Sequence, residues 1–79
     1  DNKKLFYDSK TILQELLQKD SGVEPEYEIT GESGPDHDKH FTAVVKCDGT
    51  VIGEGEGHTK KAAQQSAAYN AILKTRNRI

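Results

Sequence analysis

The sequence predicts an α+β domain of order α-β-β-β-α, a three-stranded antiparallel sheet with two helices packed on one face. Three observations carry that expectation. Apolar residues recur at three- and four-residue spacing in two stretches, one early and one at the end. Between them lie short segments in which polar and apolar residues alternate. Two of those segments flank Asp48-Gly49, a strong signal for a tight hairpin.

Residues 1–8 (DNKKLFYD) have no clear period and are expected to be the tail of a linker from upstream, with the domain over residues 9–79. Leu5, Phe6 and Tyr7 could equally add a turn or dock locally. Over residues 9–20, Ile12, Leu13, Leu16 and Leu17 mark one face of a helix that Asp8 or Ser9 can cap. Gly22 is a natural stop, and Pro25 prevents continuation.

Residues 26–30 (EYEIT) alternate, which turns Tyr27 and Ile29 inward from a first strand. Residues 31–40 (GESGPDHDKH) read as a loop from their Gly, Pro and Asp content. A second strand over 41–47 puts Phe41, Ala43 and Val45 on one face. A third over 50–56 is anchored by Val51, with Ile52 as a second candidate. Gly57 ends the sheet, and Thr59 can cap a second helix over about 59–75. Its inward stripe is mostly alanine: Ala63, Ala67, Ala68 and Ala71, then Ile72. Alanine favours the helix and lets its axis lie close to a neighbour. No internal repeat or second domain is evident.

Leu, Ile, Val and Phe make up only 16 of 79 residues, so the core is thin. A chain this short buries only about 60–65% of its unfolded surface, and modest stability is expected. No stretch approaches the roughly 18 apolar residues of a membrane span, and no apolar leader is visible. Cys47 is the sole cysteine; it makes no internal disulfide, which fits a reducing, cytoplasmic setting.

The net charge of −2 hides a segregation. Residues 20–57 carry ten acids against Lys39 and Lys46, whereas residues 58–79 carry five basic residues and no acid. One face suited to a polyanion and another facing solvent would account for this.

Two features carry chemistry. Thr11, Gln14, Glu15 and Gln18 line one stripe of the first helix, opposite the leucines. Such a stripe is either a plain solvated face or a row of short hydrogen-bonding groups suited to sugars or amides. The second helix opens with Lys60 and Lys61 and no acid, although the partial positive charge there favours Asp or Glu. A phosphate would supply the missing anion; lysines on an ordinary helix surface are the plainer alternative.

Other readings fail on spacing. Gly53-Glu54-Gly55-Glu56-Gly57 lacks the order of a phosphate-binding loop, since His58-Thr59 precedes Lys60. Its glycines mark close approach of the Ala-rich helix, or a bulge. Glu54 and Glu56 project together from a strand, without a cleft for acid–base work. Asp36, His37, Asp38 and His40 crowd one loop too tightly to enclose an ion, so no metal site is expected; the loop instead presents His37 and backbone groups to a partner.

With TILQELLQ, GPDHDKHF and GEGHTKKAAQQSAA in this order, residues 8–75 resemble the double-stranded RNA-binding domain, most like the C-terminal domain of bacterial ribonuclease III. The resemblance implies three RNA-contacting regions. Thr11, Gln14, Glu15 and Gln18 would meet 2′-hydroxyls and base edges in one minor groove. Gly34, Pro35 and His37 would enter the next, and Thr59, Lys60, Lys61 and Gln64 would meet phosphates across the intervening major groove. Such modules span about 16 bp and read A-form shape more than sequence.

The resemblance also implies an absent upstream nuclease domain, which would hold the Mg²⁺ and the catalytic residues and would make the parent a homodimer active in rRNA and mRNA processing. This chain itself is then a monomeric, cofactor-free, non-enzymatic substrate-binding domain with duplex RNA as its partner and no membrane association. Two departures bear on affinity: Gln64 stands where many relatives carry Lys or Glu, and the acidic middle either weakens binding or covers a sheet face pointing away from RNA. An alternative is a module of this fold that binds protein, through Leu5–Tyr7 or Ile79.

Overall fold

The structure is a computed structural model that describes residues 6–76. Its elements are α1 (Ser9–Asp20), β1 (Glu26–Ser33), β2 (His40–Cys47), β3 (Thr50–Gly57) and α2 (Lys60–Arg76). The strands form one antiparallel sheet in the order β1-β2-β3, with both helices on one face.

The helix-facing side carries the core. Leu13 of α1 meets Phe41, Ala43 and Val45 of β2 and the stripe Ala63, Ala67, Ala68, Ala71 and Ile72 of α2. Ile12, Leu16, Leu17, Tyr27 and Ile29 pack around it, half-buried. α1 ends as expected: Gly22 takes a left-handed φ of 70°, and its N–H reaches the carbonyls of Leu17 and Gln18. Its start differs from expectation. Asp8 is not extended (φ −98°, ψ 10°), its carboxylate caps nothing, and Ser9 is fully buried inside the helix. The chain arrives already helical at Phe6 and Tyr7, so Asp8 does not take the extended geometry of a side-chain cap.

Asp48 and Gly49 both have positive φ, 54° and 82°, as a two-residue hairpin between twisted strands requires. β1 runs three residues further than its sequence pattern indicates. A bulge between Ile29 and Gly31 lets Gly31, Glu32 and Ser33 continue pairing, opposite Thr42, Phe41 and His40. The loop therefore spans only residues 34–39. A second irregularity, between Val45 and Lys46, sets Val51 opposite Lys46 and leaves it 48% exposed. Ile52 packs against the core in its place, correcting the expected anchor of β3.

Gly53, Gly55 and Gly57 lie under α2; a Cβ at Gly53 would fall 2.5 Å from the Ala67 carbonyl oxygen. The glycine run is thus where the alanine-rich helix approaches the sheet. Glu54 and Glu56, between those glycines, point to the opposite, open side. There they join Glu26 and Glu28, with Lys46 bonded to Glu28 at 2.9 Å and its pKa raised by that bond and charge.

Candidate nucleic-acid interface

Thr11, Gln14, Glu15 and Gln18 are all exposed and, with Lys19, line one shallow depression along α1. The leucines opposite them hold this stripe outward by packing into the core.

Gly34, Pro35 and His37 are exposed on the β1–β2 loop. Gly34 has φ 91°, and a Cβ there would strike the Asp38 carbonyl oxygen. The Asp38 N–H closes a turn onto the Pro35 carbonyl at 2.9 Å. At the loop's base, Lys39 pairs with Glu32, and the hydrogen bond and charge of Lys39 hold the Glu32 carboxyl below its ordinary range. His58 Nδ1 donates to the Lys39 carbonyl at 3.2 Å and lies 3.6 Å from the Asp38 carboxylate. His40 Nε2 lies 3.2 Å from Glu56, with its ring edge-on to His58 at 5.9 Å. Among the described residues, no three His, Cys, Asp or Glu groups are placed to hold a metal ion.

Thr59 caps α2: its hydroxyl accepts the Ala62 N–H at 2.9 Å, and its carbonyl accepts that of Ala63 at 3.0 Å. That leaves the N–H groups of Lys60 and Lys61, the first two of the helix, directed outward beside two exposed ammonium groups. No acid occupies the first turn, so charge and dipole there favour an anion. Gln64, one turn on, is half-buried, and its Oε1 accepts from Lys10 Nζ at 2.9 Å.

The fold joins these regions pairwise through the start of α2. Lys10 Nζ to Gln64 and the Lys10 N–H to Gln65 Oε1 (3.3 Å) tie α1 to α2. Gln65 Nε2 also donates to the Tyr7 carbonyl, and Phe6 stacks edge-on against Tyr69 at 5.6 Å. His58 ties the loop to the same helix start. The α1 stripe and the loop stay apart. Along β2, His40 lies at the loop end, and Cys47 lies beside Leu16, Leu17 and Asp20 of α1. His40 and Cys47 are the first and last of the eight residues of β2, about 23 Å apart. Lys10 and His58 escape sequence reasoning, because neither belongs to a local pattern and each acts on a partner many residues away.

Residues 9–75 match the family model of the double-stranded RNA binding motif. The chain belongs to that family. It is 55% identical over 67 residues to Ribonuclease 3 of Listeria monocytogenes, covering 85% of this chain and 29% of that protein. Against Ribonuclease 3 of Desulforamulus reducens it is 56% identical over 69 residues, 87% of this chain and 28% of the relative. The chain thus spans under a third of the length of these curated relatives. A solved structure of Arabidopsis HYL1 superposes with a TM-score of 0.73 at 37% identity, covering 86% of this chain and 96% of that one. Like other carriers of the double-stranded RNA-binding motif, this chain has two helices on one face of a three-stranded sheet. Among the described residues no helix is long and apolar enough to cross a membrane.

Proposed function

We propose that this chain binds duplex RNA by shape. The α1 stripe of Thr11, Gln14, Glu15 and Gln18 enters one minor groove, and Gly34, Pro35 and His37 enter the next. Thr59, Lys60, Lys61 and Gln64 meet the phosphates between. The observation that carries this reading is that two exposed polar surfaces, the α1 stripe and the β1–β2 loop, are each tied to one anion-ready helix start. A duplex with regularly spaced grooves matches two such surfaces better than a flexible strand does. Glu26, Glu28, Glu54 and Glu56 lie on the side of the sheet away from the helices, where they would repel a polyanion and so orient it to the other side.

In the whole protein, this module delivers duplex RNA to an upstream ribonuclease III domain that cuts rRNA and mRNA precursors in the cytoplasm. Mg²⁺, the catalytic carboxylates and the dimer interface belong to that domain in this proposal, leaving the present chain a monomeric binding domain without a cofactor.

Fluorescence anisotropy tests the first part. A duplex RNA of about 20 bp should bind more tightly than duplex DNA or single-stranded RNA of the same sequence, with strong salt dependence. Equal binding to all three would reduce the site to a generic polyanion patch. No binding would favour a protein-binding module instead. For that reading, Tyr7 is 64% exposed, while Leu5 and Ile79 lie outside the described residues.

A further inference from the structure

Gln64 stands one helical turn from Lys60 on the same face of α2 and carries no charge of its own. The charge missing there arrives from the other helix. Lys10, on α1, reaches across 54 positions of sequence to place its ammonium 2.9 Å from Gln64 Oε1. The same ammonium lies 4.9 Å from the centre of the Tyr27 ring, whose face holds it in place from beneath.

We propose that Lys10 and Gln64 act as one unit that binds a backbone phosphate beside the one taken by Lys60. The inference rests on the duplex-RNA reading above. An ammonium has three donors. Gln64 takes one and the Tyr27 ring faces a second, which leaves a third for a phosphate oxygen. With Oε1 committed to Lys10, the Gln64 amide offers its NH₂ as a second donor to the same anion. The Lys10 N–H to Gln65 Oε1 and the Gln65 amide to the Tyr7 carbonyl fix the first turn of α1 against α2, so the ammonium is already positioned before any RNA arrives. Pre-positioning of this kind lowers the ordering cost of the contact.

The test is the salt dependence of affinity for a ~20 bp duplex RNA, compared across variants of the chain. Lys10→Gln keeps a hydrogen-bonding end, on a side chain one atom shorter, but removes the charge. It should lower affinity and reduce the log–log salt slope by roughly 0.9, one phosphate contact. Between 50 and 200 mM salt, the unaltered chain should then lose roughly three to four times more affinity than the variant. Lys10→Arg should keep the slope. Lys10→Gln combined with Gln64→Lys should restore it, because the cation returns on the other helix.

An unchanged slope in Lys10→Gln, at whatever affinity, overturns the proposal: Lys10 would then only brace α1 against α2. Circular dichroism and thermal unfolding of each variant separate misfolding from lost contact. Lys60→Ala with Lys61→Ala serves as the reference. If that variant flattens the slope while the Lys10 variants do not, the Lys10 inference alone fails. If neither does, the phosphate role of α2 on which the inference rests fails with it.

Discussion

Gly55 of β3 sits against the backbone of Ala67 in α2 so closely that a Cβ at position 55 would overlap the Ala67 nitrogen and the Ser66 carbonyl carbon. This contact sets the depth at which α2 lies on the sheet, and with it the place of Thr59, Lys60 and Lys61.

Gly55→Ala should therefore force the helix off the strand. Overpacking of this kind costs about 1–3 kcal/mol, which in a domain of this size lowers Tm by about 4–8 °C per kcal/mol. Calorimetry checks it, and an unchanged Tm would mean that α2 is free to ride higher.

Leu13 of α1 is buried within the apolar core, at 1% exposure. Leu13→Ala should cost about 2–5 kcal/mol, a large share of the total in so small a domain. Urea unfolding gives the number; a loss below 1 kcal/mol would show that α1 is only loosely docked.

Lys60→Ala with Lys61→Ala should weaken binding to all duplex RNA sequences about equally and reduce the salt slope by roughly 1.8, two phosphate contacts. Affinity measured at three salt concentrations decides this. An unaltered slope would remove the phosphate role from α2.

Tyr27 links stability to alkaline pH. Burial pushes its phenol up to about 12, and its hydroxyl is buried without a hydrogen-bond partner among the described residues. Its folded pKa lies above the unfolded value, so this contribution is fully present below about pH 10 and is lost as pH rises through about 12. Between those values the wild type should lose stability relative to Tyr27→Phe, which cannot ionise. Parallel Tm curves for the two chains would contradict that assignment.

His58 fixes the β1–β2 loop by donating Nδ1–H to the Lys39 carbonyl. His58→Ala should speed amide hydrogen exchange in residues 34–39 and weaken duplex RNA binding, whereas His58→Asn keeps a donor at a similar place and should preserve both. Equal exchange in all three chains would leave the loop's order to Gly34 and the Lys39–Glu32 pair.

Several parts of this molecule were legible in the sequence because they are local. The leucine period defined α1 over residues 9–20, Asp48-Gly49 defined the hairpin, and the alanine stripe from Ala63 to Ala71 defined the buried side of α2. Each depends on backbone periodicity or turn geometry among neighbouring residues. Thr59 as a cap and the exposed lysines after it belong to the same class.

Tertiary structure alone decided the rest. The bulge after Ile29 carried β1 on to Ser33 because β2 offered Thr42, Phe41 and His40 to pair with, and the irregular pairing at Val45 exchanged the roles of Val51 and Ile52. Glu26 and Glu28, far in sequence from Glu54 and Glu56, shared the open face only once β2 lay between their strands. Lys10 met Gln64, and His58 met Lys39, for the same reason. Pattern along a chain reveals which way a side chain points, but the partner it meets there depends on how separate elements pack, and no local period encodes that.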